Sequence, residues 1–220
     1  MKTTIITIDG PAGAGKSSVS RCLAEKLNFT YVDTGALYRG VAYEIDKCKI
    51  DVMDDAAIER FLPLISLDMT RRNNEMVLLS SGRDISGQIR SERISMLASS
   101  VSAKPAVRKF LLDIQRKMGK QDHSIFEGRD MGTVVFPEAD HKFFLYADLN
   151  IRAKRRHKEI DRPDVSLGDI QESMAKRDKN DSTRCEAPLK PAADAVMIDS
   201  TELNIDEVVD KMVSAIKGVL

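Results

Sequence analysis

The sequence predicts an α/β domain built around a largely parallel sheet. Three observations carry this. Short β-branched or aromatic runs alternate with amphipathic helical stretches. The first run ends in a glycine-rich loop that opens a helix. No internal repeat or low-complexity linker interrupts the alternation along the 220 residues.

The elements follow in order. Residues 3–9, rich in Thr and Ile, read as a buried strand that stops at Gly10. Residues 17–27 place Val19, Cys22, Leu23 and Leu27 on one helical face. Phe29 to Val32 reads as a second strand and Gly35 to Lys47 as a second helix. Leu64 to Arg72 and Glu75 to Ser81, joined at Asn73-Asn74, predict a hairpin, and a helix is expected over about Ile89 to Val101. This stretch breaks the βα rhythm, so 63–102 reads as an insertion between core units. Residues 105–118 start at Pro105 and stop before Gly119, with Val107, Phe110, Leu111, Ile114 and Met118 at helical spacing. Ser124–Glu127, Lys142–Ala147 and Ala195–Asp199 are further strand candidates. Asn204 with Glu207 three residues later caps a last helix carrying Ile205, Val208, Val209, Met212 and Ile216 on one face.

Composition excludes several classes. Hydrophobic residues at 42% and charged residues at 31% describe a folded globular chain rather than a disordered one. Lys plus Arg and Asp plus Glu are both 34, and this neutral balance argues against a general nucleic-acid binder. The longest apolar run, Phe143 to Ala147, is far too short for a membrane span, and the N-terminus reads as a strand rather than a signal peptide. Three widely spaced cysteines, Cys22, Cys48 and Cys185, suit a reducing, cytoplasmic compartment. The histidines show no zinc-ligand spacing.

Gly10-Pro11-Ala12-Gly13-Ala14-Gly15-Lys16-Ser17, with Ser18 following, fits the P-loop pattern GxxxxGK[ST], between a strand and a helix as the pattern requires. Its glycines let the backbone wrap a phosphate, and the amides at the helix start point at the anion. Lys16 supplies a charge to the terminal phosphates, and the Ser17 hydroxyl can hold Mg²⁺. A nucleoside triphosphate is therefore the expected ligand. No guanine-reading [NT]KxD is present, and Asp178-Lys179-Asn180-Asp181 lacks the leading residue. No strand acid of the kind that accompanies Mg²⁺ is visible in Phe143–Ala147. A compact P-loop chain of this length reads as a kinase for a small acceptor.

Four further segments carry unusual chemistry. Asp33-Thr34-Gly35-Ala36-Leu37-Tyr38-Arg39 follows the second strand, where an open α/β sheet places ligands; a helix cap with a surface arginine is the plainer alternative. Gly128-Arg129-Asp130-Met131-Gly132-Thr133 sets Arg and Asp side by side at a strand end; a turn with a local ion pair is its alternative. The charged run Arg177 to Arg184 and the basic cluster Arg152, Lys154, Arg155, Arg156 and Lys158 are each a solvated helix face when taken alone. Beside a P-loop they read as a lid whose arginines close over transferring phosphates.

From Ile5 to about Ser200 the sequence resembles the bacterial cytidylate kinases, in ITIDGPAGAGKS, YVDTGALYR, GRDMGTVVFP, RAKRR and RCEAPLKPAADAVMIDST. Adenylate and shikimate kinases share the P-loop but not DTGALYR with GRDMGTVVFP. The resemblance implies the nucleoside-monophosphate kinase fold: a parallel five-stranded sheet flanked by helices, an acceptor-binding insertion with a small antiparallel sheet, and a mobile lid. It assigns 1–62, 103–150 and 181–220 to the core, 63–102 to the insertion, and 151–168 to the lid with its following helix to 180. It implies transfer of the γ-phosphoryl group of ATP to CMP or dCMP, with Mg²⁺, in the cytoplasm, by a monomer.

Carried over residue by residue, the resemblance places Thr34, Arg39, Arg129 and Arg184 on the acceptor phosphate. It places Ser99, Arg108 and Asp130 on cytosine, and Arg177 and Asp181 on the ribose. Arg152, Arg155 and Arg156 fall in the lid, with Arg155 joining Lys16, Arg129 and Arg184 in catalysis and Arg152 and Arg156 on ATP. Two other readings stay open: a P-loop kinase for a different acceptor, and a nucleotide-dependent RNA-binding module resting on the basic run 152–158.

Overall fold

The computed structural model describes residues 3–72, 75–159 and 165–217. Its centre is a five-stranded sheet in the order β2-β6-β1-β7-β8, formed by β1 (Ile5–Asp9), β2 (Thr30–Asp33), β6 (Ser124–Gly128), β7 (His141–Tyr146) and β8 (Val196–Asp199). Every pairing in it is parallel. β1 lies between β6 and β7 and leads into α1 (Lys16–Leu27), so the glycine-rich loop opens at the carboxyl ends of the central strands.

Strand alternation decides what each face carries. Ile6 and Ile8 of β1, Ile125 of β6, and Phe143 and Leu145 of β7 share one apolar layer with Val19 and Leu23 of α1. The same layer includes Val208, Val209, Met212 and Ile216 of α8 (Ile205–Lys217), four of the five expected from spacing; the fifth, Ile205, opens the helix and is exposed. Val32 and Phe126 point to the opposite face, against α2 (Thr34–Lys47) and α5 (Pro105–Met118). Thr7 and Asp9 share that side: both Asp9 oxygens accept backbone amides, from Met131 at 2.9 Å and Gly132 at 2.8 Å.

The 63–102 stretch contains β3 (Leu67–Arg72), β4 (Glu75–Ser80) and the short β5 (Arg83–Asp84) as an antiparallel sheet. The expected Asn73-Asn74 turn lies outside the described residues. Leu67, Met69, Leu78, Ile85, Ile89 and Ile94 join the same apolar cluster as Leu37 and Phe126, so this stretch has no core of its own. The helix expected from Ile89 begins later, as α4 (Glu92–Val101). Ser91 takes the extended N-cap conformation and its hydroxyl accepts the Ile94 amide, while Gln88–Arg90 forms a separate 3₁₀ turn. Two elements were not anticipated. α3 (Asp55–Phe61) is a short helix capped by Asp54. The loop after β6 winds at Met131–Val135 into a wide helical turn, in which the Phe136 amide reaches back to the Met131 carbonyl at 2.7 Å.

Two helices follow β7: α6 (Leu149–Glu159) and α7 (Leu167–Thr183). They pack through Ala153, Ile170 and Met174. The part of the expected lid at 160–164 lies outside the described residues. Among the described residues, no helix is long and apolar enough to cross a membrane.

Candidate active site

The loop between β1 and α1 is shaped by close approach. A Cβ at Gly10, where φ is +151°, would stand 1.9 Å from the Leu145 carbonyl oxygen of β7. Gly15 caps α1 in the left-handed region, with φ +90°. Lys16 is buried, and its ammonium donates to the Pro11 carbonyl at 2.7 Å, so it curls over the loop backbone. Burial, and then the Arg129 guanidinium, push its pKa down to about 7. Ser17 and Ser18 are exposed in the first turn of α1.

β6 adds a group that the sequence reading did not find. Glu127, two residues beyond Ile125, shares its α1 side of the sheet, where its Oε1 accepts the Ser17 hydroxyl at 2.8 Å. Its Oε2 accepts the Tyr31 hydroxyl at 2.6 Å. Phe143–Ala147, spanning the end of β7, carries no such acid, as expected; the acid beside the loop lies on β6, the other neighbour of β1. Ile125-Phe126-Glu127 carried the signal, a strand closing on an acid, but the pairing of β6 with β1 is not a local property of the chain.

The residues expected at the acceptor form a series of Arg–Asp pairs. Asp33 caps α2 at the Ala36 amide, as the cap reading of this segment expects, and also takes Arg39 at 2.6 Å. The Thr34 hydroxyl is buried and donates to the Glu127 carbonyl at 2.6 Å, which ties β2 to β6 beneath this region. Arg129 donates to Asp181 at 2.9 Å. Asp130, only 2% exposed, pairs with Arg108 and, at 3.4 Å, with Arg184. Burial pushes its pKa up, against the opposing pull of Arg108 and Arg184. Arg177 is held down to about 10 by burial and then by Arg129, and its Nε is buried without a hydrogen-bond partner. Ser99, Asp181 and Arg184 line one cleft of about 250 Å³, and Tyr38 and Arg108 border another of about 260 Å³. Asp130 bonds to an arginine of each.

The three arginines expected in the lid part company. Arg152 is buried and donates to the Ala12 carbonyl at 3.0 Å, to the Ala147 carbonyl at 2.9 Å and to Asp178 at 2.6 Å, which bolts α6 and α7 to the P-loop. Arg155, expected in catalysis, donates to the Ser200 carbonyl at 2.6 Å, and Ser200 in turn donates to the Ala14 carbonyl at 3.0 Å, which ties α6 to the loop through Ser200. Arg156, expected on ATP, lies on the outer face, where it pairs with Glu159 at 3.0 Å. One basic run on one helix cannot point every member at the same ligand.

A loop that wraps phosphate, a lysine and hydroxyl at its end, and paired Arg–Asp groups across an adjoining cleft describe a phosphotransferase with a second anionic substrate. The cytidylate kinase family model matches residues 6–218. The chain belongs to the cytidylate kinase family. Among similar proteins, the cytidylate kinase of Citrifermentans bemidjiense is 44% identical over 216 residues, 97% of this chain and 92% of that one. Those of Carboxydothermus hydrogenoformans and Pasteurella multocida are 43% and 41% identical, over 96% and 97% of this chain and 96% and 95% of theirs. Solved structures of a shikimate kinase from Bacteroides thetaiotaomicron and a gluconokinase from Sinorhizobium meliloti align with TM-scores of 0.51 and 0.52. They cover 97% and 99% of this chain, and 98% and 94% of their own, at 14% and 12% identity; this likeness shows the shared α/β fold alone. As a cytidylate kinase, the chain transfers a phosphoryl group from ATP to cytidylate.

Proposed function

We propose that Mg-ATP sits on the Gly10–Ser18 loop and that CMP or dCMP occupies the adjoining clefts, with the site residues in stated roles. The observation that carries this is the buried Arg108–Asp130–Arg184 group between the two clefts. Cytosine presents an amino donor at N4 beside the N3 and O2 acceptors. Asp130 accepts from the amino group, Arg108 donates to the acceptor side, and Ser99 borders the ring. Uracil turns an acceptor toward Asp130, a mismatch worth about 1–3 kcal/mol. Arg39, Arg129 and Arg184 hold the acceptor phosphate above the buried Thr34. Asp181 and Arg177, whose Nε lacks a partner, take the ribose hydroxyls.

The attacking group is a phosphate oxygen whose second pKa is about 6, so it is largely ionised near neutrality and needs no dedicated base. Two anionic substrates repel each other, and the protein contributes position and positive charge. Lys16 turns from the Pro11 carbonyl to the terminal phosphates. Arg129 and Arg184 neutralise charge on the transferring group.

The residues present fit Mg²⁺. The Ser17 hydroxyl directs its proton at Glu127, which leaves oxygen lone pairs open, and Glu127 adds a hard oxygen beside it. Mg²⁺ is commonly held mainly by substrate phosphates and water, with only one or two protein oxygens. When bound, Mg²⁺ offsets phosphate charge. The reading extends to a monomer acting in a reducing cytoplasm, with Cys22, Cys48 and Cys185 as free thiols; light scattering of the purified protein tests the monomer.

The deciding experiment is ADP release from Mg-ATP with CMP, dCMP, UMP, AMP and GMP. Turnover with CMP and dCMP well above the rest supports the assignment. Equal rates with CMP and UMP remove the roles given to Asp130 and Arg108.

A further inference from the structure

Glu127 is gripped from two sides. Ser17, in the first turn of α1, donates to Oε1 at 2.8 Å, and Tyr31, on β2, donates to Oε2 at 2.6 Å. The strand register explains the second contact. Tyr31 pairs with Ile125 and Asp33 pairs with Glu127, so Tyr31 and Glu127 are diagonal neighbours on the α1 face, within reach of an aromatic side chain. The Tyr31 ring is itself held from above. The Arg21 guanidinium carbon, one helical turn beyond Ser17, lies 5.3 Å from the ring centroid.

We propose that Tyr31 is a positioning residue for the metal, fixing the Glu127 carboxylate so that Oε1 alone faces Ser17. The proposal rests on the reading of Ser17 and Glu127 as the metal-facing pair. A glutamate has three rotatable bonds, and a carboxylate held by one oxygen only can swing or present either oxygen. Tyr31 removes that freedom before the ion arrives. Hydroxyl and amide partners that orient a ligand in this way typically govern metal affinity by about tenfold or more.

The test compares wild type, Tyr31→Phe and Glu127→Gln. Tyr31→Phe keeps the ring under Arg21 and deletes only the hydroxyl. Mn²⁺ binding to the protein–ATP complex is read by electron paramagnetic resonance, without acceptor and without turnover. In parallel, the Mg²⁺ concentration for half-maximal rate is measured at fixed ATP and CMP. Tyr31→Phe is expected to weaken Mn²⁺ binding and raise the half-saturating Mg²⁺ by roughly tenfold. Its kcat recovers at high Mg²⁺, and its KM for CMP stays constant. A purely structural tyrosine would shift the melting temperature and leave the metal titrations alone. Wild-type Mn²⁺ affinity in Tyr31→Phe, with loss in Glu127→Gln, overturns the proposal and leaves the metal-facing pair standing. Wild-type Mn²⁺ affinity in Glu127→Gln overturns the pair, and the Tyr31 role with it.

Discussion

Asp130→Asn separates the two tasks given to the buried carboxylate, holding arginines and reading a base. In the structure Asp130 is 2% exposed and accepts from Arg108 and Arg184. An asparagine keeps one acceptor oxygen and loses the charge. Each Asp130 oxygen serves one arginine, so the new amide nitrogen faces one guanidinium, and breaking one arm of a buried pair costs about 3–5 kcal/mol. Burial already disfavours the ionised acid, which offsets part of that. In a chain of this size the melting temperature then falls by no more than about 6–20 °C. Recognition changes as well. The cytosine amino group loses a charged acceptor, about 1–3 kcal/mol or ten- to a hundredfold in kcat/KM. The new amide offers uracil a donor, so UMP loses little. The assay is coupled ADP release with CMP and UMP on wild type and variant, beside a thermal melt. The CMP-to-UMP ratio is expected to fall at least about tenfold. Equal losses for both acceptors, in a protein that still melts cooperatively, would refute the base-reading role and leave Asp130 as scaffold.

Other expectations are shorter. Lys16→Met should cut kcat by roughly 10²- to 10³-fold with little change in melting temperature, read by single-turnover phosphoryl transfer. Stability should dip near neutrality in the absence of nucleotide. Asp9 is raised from 3.8 to about 6, mainly by burial, so its contribution is present below 3.8 and lost as pH rises through 6. Lys16 is lowered from 10.5 to about 7, so its contribution is present above 10.5 and lost as pH falls through 7. Melts from pH 4 to 10 should show both limbs, and Lys16→Met should erase the alkaline one. Gly10→Ala should prevent normal folding or lower the melting temperature by about 10 °C or more, because the new Cβ meets a strand carbonyl rather than a yielding side chain. Arg156→Ala should be near wild type in kinetics, whereas Arg155→Ala should raise KM for ATP by loosening the Ser200 tie behind the loop; identical behaviour of the two variants would contradict their placements.

What could be read from the chain was local. The P-loop lies within eight contiguous residues, and the helix faces of α5 and α8 follow from spacing inside single elements. Hidden were features that depend on which strands become neighbours. Glu127 was visible as the last residue of a strand, but only the order β2-β6-β1-β7-β8 sets it against Ser17 and Tyr31. The RAKRR cluster was legible as basic. Which arginine is buried depends on how α6 sits on Ala12 and Ser200, residues 140 and 45 positions away from Arg152 and Arg155. The short α3 was missed because its apolar pattern covers only seven residues.

The Arg–Asp pairings give the site an unusual relation to salt. Arg39, Arg129, Arg152 and Arg184 hold Asp33, Asp181, Asp178 and Asp130. A bare cluster of arginines would gather anions from solution and release them when a phosphate bound, so affinity would fall steeply with ionic strength. Here the counterions belong to the chain. An arriving phosphate displaces carboxylates that stay tethered, and little solution salt is set free. Nucleotide affinity should therefore change only weakly between dilute and physiological salt. Stray polyanions, which gain their hold chiefly by expelling loose ions, find little to expel.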